Sequence, residues 1–276
     1  MSVLNKVVLR LKNSGVLSAQ VEAEIILSEI LNKPLLDIRA FPLPKLTNKE
    51  QLLLKTFVSR RENHEPLQYI LGHAWFMNLC LEVGPGVLIP RPETETAVEF
   101  VCARAKADEC ICDLGTGSGA IALSIGFERP DLAVTAVDNS EVALQYAMNN
   151  RNKYKLQNVT IIKSDLFTEL SNQRFDWVIA NLPYVTDEEY KALPVEVLQH
   201  EPESALRAGV DGLDVIRVAL TSLPLHLNPG GKAIFEIGEL QGKKAKELFQ
   251  TNGNFKTVEL MPDLADRIRF VYAELN

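Results

Sequence analysis

Asp113-Leu114-Gly115-Thr116-Gly117-Ser118-Gly119 follows the apolar run Cys110-Ile111-Cys112 and opens into Ala120–Ile125. The apolar run predicts a buried strand, and the stretch after the glycines predicts a helix. Glycines let the backbone turn tightly and approach a ligand where a Cβ would clash. A glycine-rich loop alone also fits a structural turn. The spacing here is GxGxG, not the GxGxxG of dinucleotide enzymes, which argues against an NAD-dependent dehydrogenase.

Working outward, the next candidate strand, Leu132–Asp138, ends in an acid. A carboxylate there can accept hydrogen bonds from both ribose hydroxyls of an adenosyl group. Asp138 also fits a cap for the helix beginning near Ser140. Together the glycine loop and Asp138 favour adenosyl binding. Ser164-Asp165-Leu166-Phe167 follows the third strand, Val159–Lys163. Asp165 can accept the adenine amino group, and Leu166 or Phe167 can pack on the ring. The plainer reading is a solvated acid beside a core Phe. Further strands are expected at Trp177–Ala180, Lys232–Ile237, Thr257–Leu260 and Arg269–Ala273, with helices such as Glu141–Asn152 and Leu213–Leu223 between the earlier ones. This alternation predicts an α/β fold on a mostly parallel sheet covered on both faces.

Asn181-Leu182-Pro183-Tyr184 follows the fourth strand. It resembles the [N/D]-P-P-[Y/F] loop of methyltransferases that alkylate planar nitrogen groups. An amide nitrogen is a poor nucleophile because its lone pair is delocalised into the carbonyl. Asn181 Oδ1 and the Leu182 backbone carbonyl can each accept one N–H of a substrate amide. Two acceptors fix the amide and aim a nitrogen lone pair at a methyl donor. They also stabilise the charge that develops on nitrogen. Tyr184 can stack on the amide plane.

Upstream, the pattern is helical. Val3, Leu4, Val7, Val8 and Leu11 repeat at helical spacing, and Ser18 offers an N-cap for a helix carrying Val21, Ile25, Ile26 and Ile30. Thr47-Asn48-Lys49-Glu50 reads as a capping box before a helix bearing Leu53, Phe57 and Val58. The period changes at Leu79, Leu81 and Val83, with Gly84-Pro85-Gly86 before Val87-Leu88-Ile89, which predicts a β-hairpin. Pro90-Arg91-Pro92-Glu93-Thr94-Glu95 then opens a helix through Phe100 and Val101.

The formal net charge of −7 argues against a broad, sequence-independent grip on nucleic acid. The four cysteines form no CxxC pair and the four histidines show no zinc-ligand spacing, so no metal is expected. Cys110 and Cys112 should share a strand face as small apolar side chains. The MSVLNKVVLRLKNSG stretch is too mixed for a secretory signal, and no apolar run reaches membrane-spanning length. The expectation is a cytoplasmic protein.

These pieces resemble the PrmC/HemK family, the release-factor glutamine-N5 methyltransferases. The resemblance spans nearly the whole chain. It includes Pro66-Leu67-Gln68-Tyr69-Ile70 with Gly72, the Arg91-Pro92-Glu93-Thr94-Glu95 segment, the glycine loop, Asp138, Asp165 and the Asn181 loop. It continues through Glu201-Pro202, Gly230-Gly231, Glu236 with Gly238, and Asp263-Leu264-Ala265 with Arg267. It implies a seven-stranded, Rossmann-like methyltransferase fold that depends on S-adenosylmethionine. The implied division is a helical substrate-docking domain over 1–72, a hairpin linker over 73–90 and the methyltransferase domain over 91–276. The implied substrate is the glutamine of the Gly-Gly-Gln motif in class I release factors, with no membrane or nucleic-acid partner. Cofactor contacts would come from Gly115, Thr116, Gly117, Ser118, Gly119, Asp138, Asp165, Leu166 and Asn181. The substrate glutamine would meet Asn181, Leu182, Pro183 and Tyr184, with Arg91 and Glu93 beside the pocket. Arg91 and Glu93 also fit a structural ion pair at a helix start.

Leu182 stands where the family usually has Pro, but the acceptor there is a backbone carbonyl, which Leu also supplies. Asn-Leu-Pro-Tyr also resembles the loop of rRNA adenine-N6 dimethyltransferases. The N-terminal helices, the Arg91–Glu95 segment and the acidic charge weigh against that alternative. A non-catalytic adenosyl-binding protein is the other alternative.

Overall fold

The computed structural model describes residues 1–276, which divide into two units. The first holds 1–73 together with 194–200. Its helices are Val3–Asn13, Ala19–Leu31, Leu35–Ala40, Asn48–Glu62 and Leu67–Leu71, with Val195–His200 added from far along the chain. Val7, Leu11, Ala23, Ile26 and Val58 form its core. The Thr47 capping box is present, with Glu50 N donating to Thr47 Oγ1 and Thr47 N donating to Glu50 Oε2. Ser18 stands at the expected N-cap of Ala19–Leu31 but makes no side-chain cap. Its hydroxyl donates to Glu22 Oε1 and caps no backbone N–H. Arg61, 6% exposed, donates to Glu22 and pairs with Glu196, which anchors the 194–200 segment to the long helix Asn48–Glu62.

The expected hairpin lies one step earlier than the glycines suggested. It comprises β1 (His73–Phe76) and β2 (Leu79–Glu82), joined by Met77-Asn78 with Met77 at φ +49°. Residues 83–91 run as a loop. Gly84-Pro85-Gly86 does make the expected turn, with Val87 N donating to the Gly84 carbonyl at 3.3 Å and Gly86 at φ +93°, but no strand follows it. A Cβ on Gly86 would lie 2.8 Å from Val142 Cγ1, and one on Gly84 would strike the Tyr146 hydroxyl. Both glycines let this loop press against the helix Glu141–Tyr154.

The second unit is built on a seven-stranded sheet. Its strands are β3 (Cys110–Leu114), β4 (Ala133–Asp138), β5 (Val159–Lys163), β6 (Phe175–Ala180), β7 (Leu227–Glu236), β8 (Phe255–Pro262) and β9 (Ile268–Leu275). The spatial order is β5-β4-β3-β6-β7-β9-β8. The first five run parallel, and β9 is antiparallel to both β7 and β8. Alternation splits the core between the two faces. Ile111, Val134, Trp177 and Ile234 pack with the helices Glu95–Arg104 and Ala120–Glu128. Cys112, Val178, Phe235 and Val271 pack on the other face with Asp214–Ser222 and Gly242–Asn252. Cys110 joins Cys112 on that face, and all four cysteines are free. No helix is long and apolar enough to cross a membrane.

The order of strands reverses between β3 and β6, because β4 lies on one side of β3 and β6 on the other. The helix that follows β3, Ala120–Glu128, and the helix Asp214–Ser222 between β6 and β7 therefore cover opposite faces, and a crevice opens at the carboxyl ends of β3 and β6.

Candidate active site

A cleft of about 280 Å³ occupies that crevice. The glycine loop forms its floor. Gly115, Gly117 and Gly119 all take positive φ, at +71°, +57° and +88°. Gly115 N and Thr116 N both donate to the Val137 carbonyl, which fastens the loop to β4. A Cβ on Gly119 would lie 2.6 Å from Leu123 Cδ1, so the loop enters the helix Ala120–Glu128 through a residue that must lack one.

Asp113 closes β3 and is fully buried. Its Oδ2 accepts from Thr116 Oγ1 at 2.7 Å and from Ala122 N at 3.1 Å, satisfying a first-turn N–H of that helix. Its Oδ1 has no partner. Burial pushes this carboxyl up to about 7.

Asp138 lines the cleft from the end of β4. Its Oδ2 accepts from Gly117 N at 2.9 Å and its Oδ1 from Ser140 N at 2.9 Å. The helix cap itself is Ser140, whose hydroxyl accepts from Ala143 N. Burial raises the Asp138 pKa. Asp165 and Leu166 line the cleft beyond β5. Phe167 does not. It lies in the core, stacked on His226 with ring centroids 4.5 Å apart.

Asn181, Leu182 and Pro183 enter the cleft from the end of β6. Asn181 Nδ2 donates to Thr94 Oγ1 at 3.1 Å. Asn181 Oδ1 and the Leu182 carbonyl accept no hydrogen bond from the chain. Leu182 is buried against the glycine loop, so that a Cβ on Gly115 would lie 3.1 Å from Leu182 Cδ2. Tyr184 does not line the cleft. Its hydroxyl donates to Glu236 Oε1 at 3.1 Å, and its carbonyl accepts from Gln241 Nε2 at 2.7 Å.

Arg91 lines the cleft and Glu93 does not. They do not pair with each other. Arg91 donates to Glu201 Oε1 at 2.6 Å, while Glu93 is held by Arg267 at 3.2 Å. Glu201 also accepts from Ile89 N at 3.1 Å, so the ion pair braces the loop before Pro92. Glu201, Glu236 and Asn150 shape the site in addition to the residues expected there. Asn150, fully buried, donates to the carbonyls of Glu82 and Ser118 and so ties β2 to the glycine loop. The available signal for Glu236 was an acid closing the apolar strand Ala233-Ile234-Phe235.

The chemistry of this cleft suits an adenosyl sulfonium ligand. It offers a backbone cradle that side chains would fill, two carboxylates at Asp138 and Asp165, and apolar walls from Phe76, Val87 and Val215.

Known proteins resemble this chain over most of its length. Residues 2–72 match the PrmC N-terminal domain and residues 95–226 the Methyltransferase small domain. A release factor glutamine methyltransferase of Coxiella burnetii is 37% identical over 256 residues, 92% of this chain and 91% of the relative. The chain belongs to the release factor glutamine methyltransferase family. Family members from Salmonella typhimurium and Moorella thermoacetica are each 38% identical, over 94% and 96% of this chain and 93% and 95% of their own lengths. Two solved structures share the fold at 18% identity. A methyltransferase from Pyrococcus furiosus gives a TM-score of 0.55, covering 83% of this chain and 98% of its own. The T. thermophilus 16S rRNA N2 G1207 methyltransferase gives 0.56, covering 74% of this chain and 50% of its own. The seven-stranded sheet of this chain thus belongs to an α/β methyltransferase-like fold.

Proposed function

We propose that this chain transfers a methyl group from S-adenosylmethionine to the N5 amide nitrogen of the GGQ glutamine in class I peptide chain release factors. One observation carries the reading. Two neighbouring acceptors on one loop, Asn181 Oδ1 and the Leu182 carbonyl, take no hydrogen bond from the chain, while Asn181 Nδ2 is committed to Thr94. That pair matches the two N–H donors of a primary carboxamide. Held by both, the amide presents its nitrogen face in a fixed direction. The same oxygens stabilise positive charge as it grows on nitrogen.

When bound, S-adenosylmethionine supplies a methyl group activated by its sulfonium. In this reading the backbone of Gly115–Gly119 cradles it, Asp138 accepts its ribose hydroxyls, and Asp165 with Leu166 holds the adenine edge. Arg91 faces the cofactor side of the cleft. Tyr184 braces the loop through its hydroxyl and carbonyl. The unit is Rossmann-like in this reading, 1–72 is the release-factor docking domain, 73–90 the linker and 91–276 the methyltransferase domain. The protein acts in the cytoplasm.

The test is incubation with methyl-labelled S-adenosylmethionine and either a purified class I release factor or rRNA. Mass spectrometry should find one added methyl on the GGQ glutamine. Label in RNA alone would reject the proposal in favour of an adenine methyltransferase. Cofactor binding without transfer to any release factor would favour a non-catalytic role.

A further inference from the structure

We infer that Glu236 is a positioning residue for methyl transfer, acting through Thr94 to decide which end of the Asn181 carboxamide faces the cleft. This rests on the reading of Asn181 Oδ1 as an acceptor for the substrate amide.

The sheet register places the partners. Ala180 on β6 is paired with Phe235 on β7, so the next residues, Asn181 and Glu236, leave adjacent strand ends. Thr94, in the 3₁₀ turn Pro92–Thr94, completes the contact between them. Thr94 is 3% exposed and Glu236 2% exposed, so water does not supply alternative partners. Thr94 Oγ1 donates to Glu236 Oε2 at 2.6 Å and accepts from Asn181 Nδ2 at 3.1 Å.

The direction of this relay follows from proton counting. An ionised carboxylate only accepts, and a threonine hydroxyl carries one proton. With that proton given to Glu236, Thr94 offers Asn181 lone pairs alone. Asn181 must then turn Nδ2 to Thr94, which leaves Oδ1 on the other side. The flipped carboxamide would set Oδ1 against a hydroxyl oxygen with no proton to share, and would aim N–H groups at the N–H groups of the substrate amide. Two buried like-to-like contacts are each costly. The second branch of the carboxylate, Oε1, accepts from Tyr184 Oη at 3.1 Å and fixes the far end of the same loop.

Burial pushes the Glu236 carboxyl up to about 7, against the pull of Thr94, Tyr184 and Arg269 and with the push of Glu93. A protonated Glu236 can donate to Thr94 and release the relay from its single direction.

The test compares Thr94→Val, Thr94→Ser and Glu236→Leu in the full chain. Thr94→Val keeps the shape and removes the hydroxyl. Glu236→Leu removes the carboxylate, freeing the Thr94 proton to point at Asn181. Both should lower kcat for release-factor methylation about 10–100-fold, the scale of a misplaced catalytic contact. Thr94→Ser should stay within about threefold of wild type, because it keeps the hydroxyl. Calorimetric affinity for S-adenosylmethionine should change little in all three. A second readout needs no turnover. The Asn181 side-chain amide resonance, assigned by its loss in Asn181→Ala, should shift and lose protection from solvent exchange in Thr94→Val. An unmoved resonance, or an unchanged kcat in Thr94→Val, overturns the inference. So does a fall in cofactor affinity that matches the fall in kcat, since that marks a collapsed pocket. If the wild-type protein methylates no release factor, the functional proposal fails, and the resonance alone decides whether Thr94 orients Asn181.

Discussion

The backbone N–H of Gly117 donates to Asp138 Oδ2 at 2.9 Å, tying the middle of the glycine loop to the end of the neighbouring strand. The other carboxylate oxygen takes the N–H of Ser140. Each oxygen has lone pairs to spare, so bracing the loop and accepting ribose hydroxyls are compatible. Asp138→Ala should weaken S-adenosylmethionine binding about 10–100-fold, because hydrogen bonds to a charged group contribute roughly 1.5–3 kcal/mol. Calorimetric titration checks this. An affinity equal to wild type would leave Asp138 as a loop brace only.

Asp113 makes stability depend on pH. Burial lifts its carboxyl from an ordinary 3.8 to about 7. Between those values the folded chain holds a proton that the unfolded chain releases. The stabilisation is therefore complete below the unfolded value and is lost as pH rises through about 7. Thermal unfolding from pH 5 to pH 8 should show wild type losing stability on the order of a few kcal/mol more than Asp113→Asn, which has no proton to release. Glu236 has the same sign and is present in both proteins, so it cancels in the comparison. Parallel pH profiles would contradict this account.

The glycine loop was legible because positive φ at Gly115, Gly117 and Gly119 is what glycine is selected for. The strand Cys110–Leu114 was legible because a buried parallel strand reads as a short, mostly apolar run. The hairpin was misplaced because Gly84-Pro85-Gly86 does turn the chain but joins no pair of strands, and its glycines also make room for Tyr146 and Val142. The hairpin's own turn uses Met77, a residue with no preference for positive φ. Contacts such as Thr94 with Glu236 join residues far apart in sequence: the pairing of β6 with β7 sets Asn181 beside Glu236, and the turn Pro92–Thr94 meets both. Tyr184 could be read as a stacking ring, but nothing local to it indicated that its hydroxyl would be held by Glu236.

Gly212 supports the Asn181 loop from behind. It takes φ +71°, and a Cβ there would collide with the Tyr184 carbonyl oxygen and with Gln241 Nε2. Those two atoms bond each other at 2.7 Å. Gly212→Ala therefore combines backbone strain with a break in the bond that fixes Tyr184. Chemical denaturation should show a loss of about 1–3 kcal/mol. Turnover should fall further than cofactor affinity, since the glycine loop is untouched. A variant with wild-type stability and kcat would show that the Tyr184 segment moves aside without cost.

Leu182 separates two roles that one residue could combine. Its side chain is 4% exposed and packs over Gly115, while its carbonyl is the acceptor proposed for the substrate amide. Its own N–H donates to nothing in the chain, so a proline there removes no hydrogen bond. Leu182→Pro keeps the carbonyl and restricts Asn181 to the extended backbone that a residue before proline prefers. It removes part of the packing over the glycine loop, a loss only partly offset by the roughly 0.4–1 kcal/mol that proline gains by limiting the unfolded chain. The net effect should be a destabilisation of about 1–2 kcal/mol, less than for a Leu→Ala truncation, with methylation turnover within about threefold of wild type. Thermal unfolding and single-turnover methylation of a release factor measure the two separately. Lost turnover with intact cofactor binding would assign the side chain, and not the carbonyl, the decisive contact with the substrate.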